Sequence, residues 1–337
     1  MIKLRIQVFQ NDLTDTYEEF VKTSINGTIF HERKFLSYHP GDRFKDNSLL
    51  IYNKSKLIAV FPAALIVKQD KKILKSHPGT SYGGIVIKEN LNYEIIDAIY
   101  EKIEEYCIEN GINYIEFRHS PKIFLNNPID QLDFALVRRN YIREAEELST
   151  FYSLKEIKGL NEIDYINYYN NYSSTKSRQN IKKAISLGVK FDFIEDKNEI
   201  DKFYLILQDN LKKYNTSPVH SKDEIIKLLE LYPDRVKIAV SKIDNKILGG
   251  FLIFNINKNG WHIFYSCLDY NLLEYKAIHF GLFSLKKHLS ELSYKYLNYG
   301  ISTEDSGKYV NKSLLKFKES FNGMGIVRTY WQKKLDE

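Results

Sequence analysis

The chain has 337 residues, 43% of them apolar, and a formal net charge of +6. That length supports two ordinary cores rather than one, and a positive balance with lysine and glutamate mixed along nearly every segment suits anionic ligands such as nucleotides, without the basic run that DNA binding calls for. Two isolated cysteines, Cys107 and Cys267, argue against a disulfide framework and a zinc cluster.

In chain order, "MIKLRIQVFQNDL" alternates like a strand and lacks the long apolar core of a signal peptide, and no later apolar run approaches membrane-spanning length. A cytoplasmic chain without a transmembrane segment is the expectation, and the Asn-x-Ser/Thr triplets "NGT" and "NKS" are then chance matches. Ser48 to Val67 reads as strand, polar turn, strand. "SHPGTSYGG", Ser76 to Gly84, is either a plain turn or a loop that cradles a ligand, because glycine serves both. "SYGGIVI" ends in a strand, and the next stretch places Ile95, Ile96, Ile99, Ile103 and Tyr106 on one helix face before Gly111 stops it. "NYIEFR" is a strand that delivers Arg118 and His119 at its end.

The boundary falls near Glu147, giving units 1–147 and 148–337. "YINYYNNYSSTKSRQNIKKAISLG" has helical periodicity broken by "NYSST", so two helices are expected. In "SPVHSKDEI", Ser221 and Glu224 have capping-box spacing, and His220 beside them is a substrate contact or a surface histidine. Val236 to Ile256 repeats the strand-turn-strand pattern, followed by the strand "WHIFYSCLD", a helix with Leu282, Leu285, Leu289 and Leu292 on one face, and the strand "YLNYG". The order β-β-β-α-β thus occurs twice, which predicts an α/β (α+β) protein of two tandem units, each a mixed sheet flanked by helices.

A meander followed by a helix and a strand is similar to the core of the GNAT acyltransferase fold, and a tandem pair resembles the Fem (FemABX) family of bacterial aminoacyl transferases. Three stretches carry the resemblance: "SHPGTSYGGIVI", "SRQNIKKAISLGV" and "NKSLLKFKESFNG". The first implies a substrate loop with His77, Ser81, Tyr82 and Gly83 as contacts; its glycines would let backbone amides approach a ligand while Tyr82 stacks or donates. In the second, Arg178 and Lys182 share a helix face, where they bind a diphosphate or carboxylate or form a solvated basic face. The third resembles the Fem segment in which a Phe-Lys pair lies in the substrate channel. On that match Lys318 is the catalytic residue, an oxyanion stabiliser at a pocket edge, with Lys308, Asn311 and Phe317 beside it; a snorkelling lysine is the plainer alternative. Arg118 and His220 complete the candidate contacts. No nucleophile-elbow serine and no His-x-x-x-His spacing is present, so neither a catalytic triad nor a metal is expected.

"LDYNLLEYKAIHFG" lacks the glycines with which acetyl-CoA enzymes of the GNAT type hold a pyrophosphate. The resemblance therefore implies no tightly bound cofactor and a donor that is an aminoacyl-tRNA or, with a different grip, an acyl-CoA. The expected partner is a nucleotide-linked or lipid-linked cell-envelope precursor whose amine accepts the acyl group, with charged tRNA as a further partner. Two other readings stand beside it: an acyl-CoA-dependent sugar N-acyltransferase of surface polysaccharide synthesis, and a non-catalytic protein that binds a glycan precursor.

Overall fold

The computed structural model describes residues 2–41, 43–88, 91–127 and 129–335. The chain divides into two compact units. Unit 1 comprises residues 1–148, 304–309 and 327–337, and unit 2 comprises residues 149–303 and 310–326. The sequence assigns everything after 147 to the second unit; the structure instead returns the last strand to the first.

Unit 1 contains β1 (Leu4–Val8), α1 (Thr14–Thr23), α2 (Arg33–Leu36), β2 (Lys45–Asp46), β3 (Leu49–Asn53), β4 (Lys56–Phe61), β5 (Ala63–Lys68), β6 (Lys71–Ser76), β7 (Val86–Ile87), α3 (Tyr93–Glu109), β8 (Tyr114–Arg118), α4 (Gln131–Arg138) and the first residues of β9 (Ile142–Ser153). The side chain of Asn92 caps α3 by accepting from the Ile95 amide. The buried stripe of α3 runs Ile96, Ile99, Tyr100, Ile103 and Cys107, with Ile95 and Tyr106 only partly covered, so the face is rotated slightly from the one expected. Gly111 (φ +61°) ends the helix, as its spacing predicts.

Unit 2 contains the end of β9, then α5 (Glu162–Tyr172), α6 (Thr175–Ser186), β10 (Lys190–Ile194), α7 (Lys197–Lys212), α8 (Lys222–Leu231), β11 (Val236–Ile243), β12 (Lys246–Asn257), β13 (Gly260–Leu268), α9 (Ala277–Glu291) and β14 (Tyr296–Ile301). After the short strands β15 (Thr303–Glu304) and β16 (Tyr309–Val310) come α10 (Lys312–Glu319) and β17 (Met324–Lys334). The "NYSST" break separates α5 from α6, and Ser174 caps α6 by accepting from the Ser177 amide. Ser221 and Glu224 form the expected capping box at the start of α8. Ile278, Leu282, Leu285 and Leu289 of α9 are buried on the sheet, while Leu292 lies past the last turn and is exposed. Each such fully buried side chain contributes roughly 1.5–3 kcal/mol.

Unit 2 has the expected β-β-β-α-β order, whereas unit 1 has two more strands between Leu49 and its helix, because a second hairpin, β5–β6, precedes the loop and "SYGGIVI" ends in β7 of a separate sheet. In each unit the helix crosses over to make a short parallel pair. In unit 1, β6 pairs with β8 from Ile73↔Tyr114 to Lys75↔Glu116. In unit 2, β13 pairs with β14 from Gly260↔Tyr296 to His262↔Asn298. Beyond those pairs each set of strands splays. The residues that return to unit 1 in β17 run antiparallel to β8, Tyr330 opposite Arg118 and Lys334 opposite Tyr114. Among the described residues no helix is long and apolar enough to cross a membrane.

Candidate active site

In unit 2 the splay is shaped by a bulge. β14 pairs with β9 at Asn298↔Phe151 and again at Ile301↔Ser149, so Tyr299 and Gly300 together face Thr150. Gly300 takes φ +78°, a conformation glycine adopts without strain. The side chain of Asn298 holds the turn: its Oδ1 accepts from the Gly300 amide at 2.8 Å and from His262 Nδ1 at 2.8 Å, while its Nδ2 donates to Ser149 Oγ at 3.0 Å.

A bulge frees carbonyls from the ladder, and here they face a cation. Lys318 Nζ donates to Gly300 O at 2.9 Å and to Ile301 O at 2.6 Å, which accounts for two of its three N–H bonds. Lys318 is 6% exposed, and burial pulls its pKa down to about 7. The helix α10 that carries it inverts the ordinary pattern, since Lys318 is its buried residue and Leu314 is exposed. The sequence leads one to expect the opposite, an apolar set inside and the lysine at its edge. Ser302 Oγ, Thr303 Oγ1, Tyr299 OH and Thr150 Oγ1 are buried near this strand end without a hydrogen-bond partner among the described residues, a concentration of unsatisfied polar groups.

Next to Lys318, the Phe317 ring lies edge-on to His279 at 5.4 Å, and Phe321 is 5.4 Å from the same imidazole. His279 Nε2 is 2.9 Å from Asn180 Nδ2 on α6, so it accepts there. Burial first, then the positive charges of Lys276 and Lys176, pushes the His279 pKa down to about 4. Lys276 is the left-handed residue (φ 56°) at which α9 begins. Lys276 and Lys176 thus flank a neutral imidazole at the start of α9, which touches the Phe317 ring of the helix that carries Lys318. A second buried cation, Lys286, is wholly covered; it donates to Phe321 O at 3.3 Å and lies 3.9 Å from the centre of the Tyr152 ring. Burial lowers its pKa to about 7. The broad cleft of about 910 Å³ in unit 2 is lined by Leu160, Tyr165, Phe283 and Lys287 among others, and by none of Lys318, His279 or Asn180. Its lining mixes buried residues such as Tyr165 and Ser290 with an ion pair, Lys287 and Glu291 at 3.0 Å, so it is a separate feature from the surroundings of Lys318.

Of the residues selected from sequence, α10 brings together Asn311, Phe317 and Lys318; Asn311 is its cap, accepting from the Leu314 amide at 3.0 Å. Arg178 is turned to its own neighbourhood, donating to Asn170 O and Thr175 Oγ1, and Lys182 is exposed. His220 is 4% exposed, with Nδ1 3.1 Å from Tyr265 OH, which makes it a packed residue behind α8 rather than a surface one. Lys308, exposed in unit 1, pairs with Asp305 at 3.2 Å.

The loop residues also lie in unit 1; His77, Tyr82 and Gly83 are buried and Ser81 is half-buried. The chain leaves the β5–β6 ladder at His77, whose amide donates to Pro62 O, and enters a different sheet at Val86, opposite Val60 of β4. Between those points the loop folds into the splay of β6 and β8: the Gly83 amide donates to Arg118 O at 2.7 Å and Gly83 bridges His119. Gly83 O accepts from His31 Nε2 at 2.9 Å, and Ser76 Oγ accepts from the Arg118 amide at 3.0 Å. Tyr82 is 1% exposed, edge-on to Phe30 at 4.9 Å and stacked on Phe124 at 5.9 Å, so its ring has no face left for the ligand stacking expected of it. His77 is buried against Phe44 and stacks on His39 at 6.0 Å; burial lowers its pKa to about 4. Ser81 offers its carbonyl to Arg328 at 2.8 Å, and Arg118 lies over the Tyr330 ring at 4.1 Å. Among the described residues no group of three or more His, Cys, Asp or Glu is placed to hold a metal. His279, Asn180, Asn298 and His262 carry no local motif, and sequence reading missed them.

No protein-family model matches the chain, and no curated protein matches it. Solved structures do. FemX has a TM-score of 0.72 at 9% identity, over 98% of this chain and 97% of that one. The carboxy-terminal domain (DUF2156) of a putative lysylphosphatidylglycerol synthetase from Agrobacterium fabrum gives 0.61 at 12% identity, over 95% and 91%. A tandem GNAT protein from the clavulanic acid biosynthesis pathway gives 0.54 at 7% identity, over 99% of both chains.

Proposed function

We propose that this chain, which has the tandem GNAT fold of those structures, is an acyl or aminoacyl transferase that joins a carbonyl to an acceptor amine, with its chemistry in unit 2. The acceptor is an amine of a cell-envelope precursor, nucleotide-linked or lipid-linked. One observation carries the reading: Lys318 is an ammonium buried beside a strand splay, anchored through two N–H bonds to bulge carbonyls, with the third left over. A cation fixed in advance in a dry site is the kind of group that stabilises a developing oxyanion.

In this mechanism the amine attacks the donor carbonyl, and the electron pair of the carbonyl moves to oxygen, where the Lys318 ammonium receives it. Collapse expels the donor's alcohol or thiol, which leaves with the proton that the amine gives up. No described side chain is needed as base, since water or the leaving group can take that proton. Lys176 and Lys276, close enough to His279 to depress its pKa, suit the phosphates of a donor such as aminoacyl-tRNA or acyl-CoA near the start of α9.

The test begins with thermal melting against acetyl-CoA, CoA, charged tRNA and nucleotide-linked amino sugars, since a ligand of the folded state raises the transition by mass action. Turnover is then followed against pH with the stabilising ligand pair. The oxyanion role requires the charged form of Lys318, so turnover falls as pH rises through about 7. Lys318→Arg, whose charge persists, removes that falling limb. A rate that continues to rise above that pH in the wild type would contradict the role.

A further inference from the structure

The polar face of the unit 1 sheet holds more positive charge than it neutralises. On β8, Ile115 and Phe117 belong to the core, so Glu116 and Arg118 occupy the opposite face. β17 places Gln332 opposite Glu116 and Tyr330 opposite Arg118. Arg328, two residues from Tyr330 along the strand, shares that face. Glu116 is already occupied: it pairs with Lys75 at 2.5 Å and accepts from Gln332 Nε2 at 3.1 Å. Glu147 accepts from Tyr330 OH at 2.5 Å and lies 3.4 Å from Arg328 Nη2, and the same nitrogen donates to Ser81 O.

That leaves one guanidinium over. Arg118 makes no side-chain hydrogen bond or ion pair among the described residues; its contact is the Tyr330 ring, 4.1 Å below. Stacking covers a face of the guanidinium and leaves its in-plane N–H fork available. Arg328 is 8% exposed, and its Nε is buried without a hydrogen-bond partner among the described residues. Glu147 can balance one arginine, so the pair retains a net positive charge in a largely buried place. Burial lowers the Arg118 pKa, with repulsion from Arg328 in the same direction and the nearby Tyr330, Glu147 and Glu116 offsetting only part of it. An uncompensated buried cation is costly, and structures keep one where a ligand completes it.

We propose that Arg118 and Arg328 form an oxyanion-binding site in unit 1, which takes a carboxylate or phosphate group of a ligand with the Arg118 fork as its bidentate partner. A single anionic group supplies the charge that Glu147 leaves unbalanced, and the flat arrangement of Arg118 on Tyr330 matches the planar geometry of such acceptors. The site needs no transfer chemistry at Lys318 and stands whether or not that reading holds.

Isothermal titration of the full-length protein tests it, with inorganic phosphate and pyrophosphate in one arm and acetate and succinate in the other. At least one arm binds, and binding weakens as sodium chloride is added. Arg118→Gln binds at least tenfold more weakly, and Arg118→Lys, which keeps a charge but loses the fork, at least about fivefold more weakly. Lys318→Met binds as the wild type does, which separates this site from the proposed catalytic one. Binding confined to the phosphate arm identifies a phosphorylated ligand, and binding confined to the other a carboxylate. The absence of binding in both arms, or unchanged binding in Arg118→Gln, overturns the proposal. If Arg118→Gln melts early, Arg118→Lys decides by the same criterion.

Discussion

Both units build a short parallel pair across a helix, and they treat the gap beyond it in opposite ways. In unit 1 the Ser76 to Gly84 loop enters the gap, and Gly83 takes up the backbone groups of Arg118 and His119 that a neighbouring strand would otherwise pair. In unit 2 the pairing of β13 and β14 stops at His262 and Asn298, and the bulge carbonyls of β14 are met by a lysine side chain. Backbone in a gap yields a satisfied, rigid sheet. A buried cation in a gap yields a charged wall. The same supersecondary frame therefore gives a gap filled by backbone in one copy and a gap faced by a buried ammonium in the other, and the proposed transfer chemistry belongs to the second.

The largest effect that sharpens this contrast comes from Lys318. Lys318→Met removes the ammonium and retains most of the stem. If the opening in unit 2 is catalytic, turnover falls about 100- to 1,000-fold, the loss typical of a single oxyanion donor. The melting temperature should shift only slightly, because relief of a buried charge is offset by Gly300 O and Ile301 O losing their donor. Single-turnover kinetics with paired melts read both quantities, and loss of fold in parallel with loss of rate would make the lysine a structural pin for the bulge.

A pair of glycine substitutions compares the gaps directly. Gly84 has φ +87°, and a Cβ there would lie 2.4 Å from His119 Cδ2. Gly84→Ala therefore combines left-handed strain with overlap, for a destabilisation of roughly 2–5 kcal/mol. Gly300 has φ +78°, but its nearest heavy atom, Ile263 O, is 3.5 Å away, an ordinary contact. Gly300→Ala loses only about 1–2 kcal/mol. Chemical denaturation of the two variants checks the order, and equal losses would mean that the plugged gap is no tighter than the open one.

The sequence makes the local half of this picture legible. Helix faces, caps and hairpins follow from residues a few positions apart, so α3, the α5–α6 break and the Ser221–Glu224 box can be read from periodicity and capping. What escapes is non-local. Ser149 and Asn298 meet across 149 positions, and Asn180 reaches His279 across 99; no pattern in either neighbourhood announces them. The pairing of Val327 onward with unit 1 is hidden for the same reason, since a strand's own alternation does not name its partner. "SHPGTSYGG" is a subtler case. Its composition suggests a loop near a ligand, and the structure uses the same glycines and aromatic ring to close a sheet. Lys318 is legible only through a family resemblance, because its burial runs against the helix pattern that surrounds it.

Lys286 gives the finest probe, because it is a second buried lysine in unit 2 with no bulge to hold. Its ammonium is wholly covered, with one long hydrogen bond and aromatic rings for company. The folded pKa is about 7 against the ordinary value of 10.5, so the sign is that of a depressed base. Below about pH 7 both folded and unfolded chains carry the proton, and the burial penalty is present in full. Between pH 7 and 10.5 the unfolded chain binds more protons than the folded one, so this group makes stability rise with pH. Lys286→Met removes the term. At pH 7 the variant should be more stable by about 1–3 kcal/mol, less whatever the contacts to Phe321 and Tyr152 contribute, and its advantage should shrink steadily as pH approaches 10. Melting curves of both proteins across that range measure the difference alone, which cancels the tyrosines and exposed lysines that the two share. A constant offset with pH would show that Lys286 titrates normally in the folded chain, and that burial in unit 2 penalises cations less than the depressed values at Lys286 and Lys318 imply.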